Sequence, residues 1–98
     1  VADFYCLWWD GVPYLAAGNP DVCLQDMGPT ETLYDITYAP EQGWSAYTEV
    51  ELVPGHAYLV WTADNHFALV RAVEIAYGAD GYVVLDWVYQ AREGYPYF

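Results

Sequence analysis

The sequence predicts an all-β protein, a single small antiparallel β-sandwich or barrel of about seven or eight strands with one disulfide. Aromatic residues make up 19% of the chain, with five Trp and eleven Tyr, and aromatic residues favour strands. Apolar positions alternate with a period of two, and Gly, Pro and Asp turn signals interrupt them at short intervals. Two cysteines supply one bridge.

The size of the chain allows one domain. Ninety-eight residues are close to the lower limit for burying a sizeable core, so residues 1–98 are taken as a single extracellular β-domain. No run approaches the roughly 18 uninterrupted apolar residues of a membrane helix, and no membrane insertion is expected. The chain begins at Val1 without a charged and apolar leader, which predicts a mature secreted or cell-surface protein whose targeting segment has been removed.

The chain is strongly acidic. Fourteen acidic residues stand against two Arg and no Lys, and the formal net charge is −12 at pH 7. Such a charge repels phosphate backbones and anionic lipid surfaces, so nucleic acid is not expected as a partner. The simplest role of the acidity is solubility.

The first third of the chain predicts three strands. Residues 3–9 read as a strand that ends at the hairpin dipeptide Asp10-Gly11, and residues 12–17 as the returning strand. A Gly-Asn-Pro-Asp turn then leads into a third strand over residues 22–26. The third strand is expected beside the first.

Cys6 and Cys23 are predicted to form a structural disulfide between the first and third strands. They lie seventeen positions apart, and a disulfide that closes such a loop stabilises the folded state by roughly 3 kcal/mol. A metal or redox role is not favoured, because there is no CxxC motif and no histidine close by. The bridge also favours an oxidising compartment.

The middle of the chain carries mixed signals. Between residues 28 and 41 we expect a loop with a short strand over residues 33–38. A short helix over residues 30–36, capped by Thr30, remains the alternative. Residues 46–53 alternate apolar and polar side chains and predict one further strand.

Three consecutive strands are predicted over residues 56–62, 66–75 and 82–90, joined by tight turns. The tail over residues 91–98 leaves this sheet through a glycine, ends in aromatic residues, and requires a surface on which to lie.

The last two strands predict a register and an ion pair. If Ile75 lies opposite Tyr82, antiparallel pairing sets Val73 against Val84, Arg71 against Asp86 and Leu69 against Val88. An isolated Arg within an apolar strand is costly to desolvate. Arg71 and Asp86 are therefore predicted to form a structural ion pair.

Four segments carry a resemblance: GHAYLVWT at residues 55–62, DNHFA at 64–68, Arg71, and DWVYQ at 86–90. Together they resemble a recurrent pattern, GHTYVVWTWDNHFAKFRV followed by FDWAYQ, in small secreted all-β domains of environmental bacteria and archaea. DFYCLWWDGVPYLAAGNP and LQDMG near the start also look like the front of such domains. The resemblance implies fold and export, and it brings no activity and no catalytic residues.

The chain departs from that pattern at several positions. Ala57, Leu69 and Ala72 stand where the pattern has Thr, Lys and Val. The missing Lys argues against a cationic site.

No catalytic constellation is present, so neither enzyme activity nor a cofactor is expected. His56 and His66, with Asp64 nearby, lack the HxH or HExxH spacing of metal ligands. Asp80, and Asp64 with its neighbouring Asn, would suit calcium but occur in ordinary turn sequences. Ser45 is the only serine and has no base near it in sequence.

The function predicted first is that of an extracellular structural protein, a subunit of a self-assembling filament or surface layer. Identical copies would then be the partners, and strand and aromatic contacts would join them. The residues expected at these contacts come from both ends of the chain: Phe4, Trp8, Trp9, Tyr95, Tyr97 and Phe98. The alternative is a secreted glycan-binding module that stacks sugar rings on exposed Trp and Tyr.

Overall fold

Eight strands form two antiparallel sheets in the computed structural model, which describes residues 4–18, 21–40, 42–46, 49–78 and 80–98. The strands are β1 Phe4–Trp9, β2 Val12–Ala17, β3 Cys23–Pro29, β4 Ser45–Ala46, β5 Glu49–Glu51, β6 His56–Trp61, β7 Phe67–Ala76 and β8 Tyr82–Gln90, and a 3-10 helix spans Leu33–Asp35. No helix within these residues is long and apolar enough to cross a membrane.

The two sheets differ in width. The small sheet has the order β1-β2-β5, and the large sheet has the order β4-β3-β6-β7-β8. The inner face of the large sheet packs on the small sheet, and its outer face is covered by other segments of the chain. The all-β prediction is confirmed, and the arrangement is that of a sandwich.

The first hairpin forms where the turn dipeptide predicts it. Asp10 has a φ of 52° and Gly11 a φ of 77°, and two positive φ values are what a two-residue hairpin turn with the correct twist requires. The register pairs Cys6 with Leu15 and Trp8 with Pro13. Leu15 and Ala17, which lie opposite Cys6 and Phe4, belong to the core between the sheets, so the even-numbered side chains of β1 point toward the large sheet.

The strand predicted over residues 46–53 is two strands in different sheets. Ser45–Ala46 pairs with β3 in the large sheet, whereas Glu49–Glu51 pairs with β2 in the small sheet. Residues 47 and 48 lie outside the described residues. The chain passes from one layer to the other here, and alternation alone does not reveal a change of sheet.

Tyr58 is the largest fully buried side chain of the core between the sheets. Its hydroxyl donates to the carbonyl oxygen of Glu51 and accepts from the N–H of Val53, both at 2.7 Å. Burial raises the pKa of Tyr58 to about 12. The hydroxyl therefore joins β6 to the chain that leaves β5.

A second cluster lies on the outer face of the large sheet, where a 3-10 helix replaces the loop and strand expected over residues 33–38. The helix is capped by Thr32 and not by Thr30: the N–H of Tyr34 donates to Oγ1 of Thr32 at 3.2 Å. The short helix was the alternative prediction, but it spans three residues rather than residues 30–36, and its cap is Thr32 rather than Thr30. Only Tyr38 keeps a strand-like bridge.

The C-terminal tail lies on its own chain. Tyr97 forms an isolated antiparallel bridge with Tyr38, and the N–H of Phe98 donates to the carbonyl oxygen of Thr37 at 2.9 Å. Phe98 packs against the outer cluster. The surface that the aromatic tail requires is therefore supplied within the molecule.

The predicted disulfide is absent, and Cys6 and Cys23 are free thiols. Cys6 lies opposite the buried Leu15 and points toward the large sheet, whereas Cys23 lies opposite Trp61, which packs in the outer cluster. The large sheet thus stands between the two thiols. The prediction failed because β1 and β3 are in different sheets and present these cysteines to different faces.

The register of β7 and β8 is confirmed in part. Leu69 lies opposite Val88 and Arg71 opposite Asp86, as predicted. Beyond them a β-bulge between Ala72 and Glu74 shifts the pairing by one residue. The predicted pairs Val73–Val84 and Ile75–Tyr82 were therefore wrong.

Arg71 does not form the predicted ion pair with Asp86. Its Nη2 donates to the carbonyl oxygen of Thr30 at 2.9 Å, and its Nε donates to Oγ1 of Thr30 at 3.2 Å. Within the described residues, the ion pairs closer than 4.0 Å both involve histidine. Thr30 follows the last residue of β3, where the chain turns to the outer face of the large sheet. The guanidinium of Arg71 binds Thr30 rather than Asp86.

Candidate functional site

Strand β8 lies at one edge of the large sheet, and its inner face is open around Trp87 and Tyr89. Three strands of the small sheet cannot cover five strands of the large one, so a groove remains between β1 and β8. Its volume is about 500 Å³. It is lined by Phe4, Thr62, Ala68, Val70, Leu85, Trp87 and Tyr89.

The register explains why the groove is aromatic. Trp87 lies opposite Val70, and Tyr89 lies opposite Ala68, so large rings on β8 stand beside smaller side chains on β7. Directly opposite residues point to the same face of a sheet. Trp87 is 65% exposed and Tyr89 42%, so both side chains keep solvent-accessible surface.

The β6–β7 hairpin closes one end of the groove with polar side chains. The ring of His66 stacks on Tyr89 at 5.4 Å between centroids, and its Nδ1 lies 3.2 Å from Oδ1 of Asp64. The Thr62 hydroxyl donates to Asp64, and this bond, with a smaller contribution from His66, lowers the pKa of the Asp64 carboxyl. The hydroxyl of Thr62 also accepts from the N–H of His66 at 3.0 Å.

A second cavity lies on the outer side of the same strand. Its volume is about 450 Å³. Leu33, Tyr34, Ile36, Thr37, Leu69, Trp87, Val88, Tyr89, Gln90 and Phe98 line it. Gln90 anchors the tail here, because its Nε2 donates to the carbonyl oxygen of Tyr97 at 2.6 Å. Strand β8 therefore has a depression on each of its faces.

The aromatic residues on the part of the outer face away from the Val88 cavity have structural roles. Trp61 stacks on Phe67 with centroids 5.4 Å apart, and Trp44 lies 5.6 Å from Trp61. Nε1 of Trp61 donates to Oδ1 of Asn65, and Nε1 of Trp44 donates to the carbonyl oxygen of Pro40, both at 2.8 Å. These indoles are held by their own chain.

The residues considered as metal ligands are far apart. His56 pairs with Asp26 through Nδ1 at 3.1 Å, at the opposite end of β6 from His66. Asp64 and Asp80 lie in turns at the two ends of the ten-residue strand β7, roughly 30 Å apart at the usual rise per residue. The described part of the chain contains no group of three or more potential ligands.

The residues predicted at assembly contacts have different environments. Phe4 lines the groove and packs on the core, whereas Trp9 is 71% exposed on the outer surface of the small sheet. The indole of Trp8 lies against Gly81 at the β7–β8 turn, where an added Cβ would approach it to 3.1 Å. The adjacent indoles thus point to opposite faces, as alternation predicts.

The tail aromatics contact one another and the chain that leads to them. Tyr95 and Tyr97 meet edge to face at 5.4 Å, and the guanidinium of Arg92 lies 4.3 Å from the centre of the Tyr95 ring. Phe98, by contrast, packs in the outer cluster.

Sequence reasoning missed Trp87, Val88 and Tyr89 as surface residues. It placed them correctly in the last strand but assigned them no role. A nine-residue final strand without Lys or Pro is the signal that would have marked them, because such a strand lacks the usual protection of a sheet edge.

No family model matches the chain, and neither the curated proteins nor the solved structures contain a significant match to it.

Proposed function

We propose that this chain is the subunit of an extracellular filament or surface layer, built from identical copies through strand and aromatic contacts. The observation that carries the proposal is the unprotected edge of β8. A free edge presents unpaired N–H and C=O groups along its length, and another chain can add to them. Trp87, Val88 and Tyr89 surround these groups with exposed apolar surface.

Within its own sequence, β8 lacks the features that usually protect a sheet edge. It is nine residues long, contains neither Lys nor Pro, and carries one charge, Asp86. The β-bulge of this hairpin lies between Ala72 and Glu74 on β7, where it does not interrupt the edge. By comparison, the edge strand β4 has two residues, and β5 has three, including Glu49 and Glu51.

Strand β1 adds exposed aromatic surface at the edge of the small sheet. None of its six residues is charged, and Tyr5, Trp8 and Trp9 are exposed. The −12 charge is therefore carried elsewhere on the chain, and these edges are where two copies would approach with the least repulsion.

The extracellular location is part of the proposal. Its support is the resemblance to small secreted β-domains. The free state of Cys6 and Cys23 removes the disulfide as an argument for an oxidising compartment.

The experiment that tests the assembly is particle sizing of the 98-residue chain by light scattering, followed by electron microscopy of the same sample. We expect regular filaments or sheets at physiological ionic strength. A uniform 11.1 kDa particle across the accessible protein concentrations would overturn the proposal.

Glycan binding is the second candidate, and the groove between β1 and β8 favours it. Trp87 and Tyr89 offer exposed rings, and Thr62 supplies a polar group at the same cavity. Soluble oligosaccharides should then quench Trp fluorescence saturably, and Trp87→Ala should abolish the effect while Trp9→Ala preserves it. Flat titrations with neutral, acidic and amino-sugar oligosaccharides would exclude this function.

A further inference from the structure

We infer that β8 of one copy pairs antiparallel with β8 of a second copy, across a two-fold axis at Val88. The inference rests on the proposed function and identifies one contact of the assembly. Such pairing would continue the large sheet from one copy into the next through main-chain hydrogen bonds.

The cavities on both faces of β8 suit an added strand. Trp87 and Tyr89 point to the inner groove, and Val88 and Gln90 point to the outer cavity, because side chains alternate along a strand. A neighbouring strand has the same alternation, so its side chains would enter both depressions in turn. A compact ligand would use one cavity, whereas an extended strand uses both.

Charge makes the stretch from β8 to Arg92 complementary to itself in the antiparallel direction. Asp86 and Arg92 are the charged residues of the stretch 81–92, and they have opposite signs. Neither belongs to an ion pair closer than 4.0 Å within the described residues. Antiparallel pairing brings Asp86 of each copy toward Arg92 of the other, whereas parallel pairing in register brings like charges together.

The alternation of faces also limits the register. Residues directly opposite one another in an antiparallel pair point to the same face of the sheet. A two-fold axis perpendicular to the sheet therefore passes midway between one residue and the same residue of the second copy. With Asp86 on the axis, two carboxylates would meet. With Val88 on the axis, Trp87 lies opposite Tyr89 and Asp86 lies opposite Gln90, and Arg92 follows Gln90 in the turn after β8.

The test compares two variants that carry the same substitution. Val88 and Val73 are each 41% exposed, but Val88 is on the edge strand, and Val73 is on β7, which has a neighbour on both sides. V88K and V73K each make the net charge less negative by one unit. We expect V88K to form particles no larger than two copies, because one contact of the filament is blocked, whereas V73K assembles like the unsubstituted chain.

A charge exchange tests the register independently of V88K. D86R and R92D should each raise the concentration needed for assembly at least about tenfold. The two-fold axis creates two identical contacts between residues 86 and 92, and each variant places like charges together in both contacts. The double variant D86R/R92D restores opposite charges and should assemble near the original concentration. Equal assembly of all three variants would contradict the register.

These outcomes separate the inference from the function on which it rests. If the unsubstituted chain forms filaments and V88K forms the same filaments, the inference fails and the proposed function stands. If the unsubstituted chain stops at pairs and V88K is monomeric, the strand pairing stands and the filament fails. A monomeric unsubstituted chain overturns both.

Discussion

Arg71 lies directly opposite Asp86 on neighbouring strands, yet its guanidinium donates to Thr30 and leaves the carboxylate in solvent. Asp86 is on the exposed edge strand, where water solvates its charge at little cost. The carbonyl oxygen of Thr30 has less access to water, and a charged donor satisfies it well. The arginine therefore fastens the segment that covers the outer face to the sheet.

Substitution of Arg71 should destabilise the fold more than substitution of Asp86. R71M removes the donors to Thr30 and should lower the free energy of unfolding by about 1–3 kcal/mol. D86N removes an unpaired surface charge and should change it by less than about 0.5 kcal/mol. Urea denaturation at low salt measures both free energies of unfolding. Equal losses of stability in the two variants, with strong coupling between the two substitutions in the double variant, would indicate a direct ion pair.

The free cysteines should be chemically detectable. Without reductant, the unfolded chain should show two reactive thiols, and C6S/C23S should change the free energy of unfolding by less than about 0.5 kcal/mol. A disulfide would instead give no thiol, and its loss would cost roughly 3 kcal/mol. Partial desolvation raises the pKa of the Cys6 thiol, so Cys6 should react more slowly than free cysteine near neutral pH.

Tyr58 should make the stability depend on pH in the alkaline range. Its pKa is about 12 in the folded protein and about 10 in an unfolded chain, so the folded state retains the proton more strongly. The stabilisation that this pKa difference gives to the folded state is complete below pH about 10. It falls by about 1.4 kcal/mol per pH unit between pH about 10 and about 12. Urea denaturation from pH 8 to 11.5 should show a steeper decline for the unsubstituted chain than for Y58F.

At neutral pH, Y58F should itself be less stable by about 1–3 kcal/mol, because the N–H of Val53 and the carbonyl oxygen of Glu51 lose their partner. Parallel pH profiles for the two chains would contradict the alkaline shift, whatever the difference at neutral pH.

Assembly should depend on ionic strength. Copies of net charge −12 repel one another, and the screening length falls from about 30 Å at 0.01 M salt to about 8 Å at 0.15 M. Light scattering should therefore show growth of particle size between these concentrations. Sodium and calcium salts at equal ionic strength should act alike; growth with calcium alone would point to a bridging cation.

Phe98 should stabilise its own chain, while its neighbour Tyr97 should not. Phe98 packs in the outer cluster and Tyr97 is exposed, so F98A should cost about 1–2 kcal/mol and Y97A less than about 0.5 kcal/mol. Both variants should still assemble. Loss of assembly in F98A without loss of stability would show that the tail contacts another copy.

Short-range patterns in the sequence were sufficient for the strands and turns. Asp10-Gly11 predicted the first hairpin, because few dipeptides tolerate two positive φ values. The strand 82–90 and the pairing of Arg71 with Asp86 followed from alternation and turn position. The bulge after Ala72 was not predictable, since an extra residue in one strand preserves the apolar character of its neighbours.

The sequence by itself thus determined the fold class and most strand positions, because these depend on residues close together along the chain. Only the tertiary structure decided that β1 and β3 belong to different sheets, that Cys6 and Cys23 face apart, and that Arg71 binds Thr30. It also decided that β8 is the last strand of the large sheet among the described residues, and that a groove opens beside Trp87. Sheet order follows from the competition among long-range contacts for one core, and no local pattern encodes which strand is left at the edge.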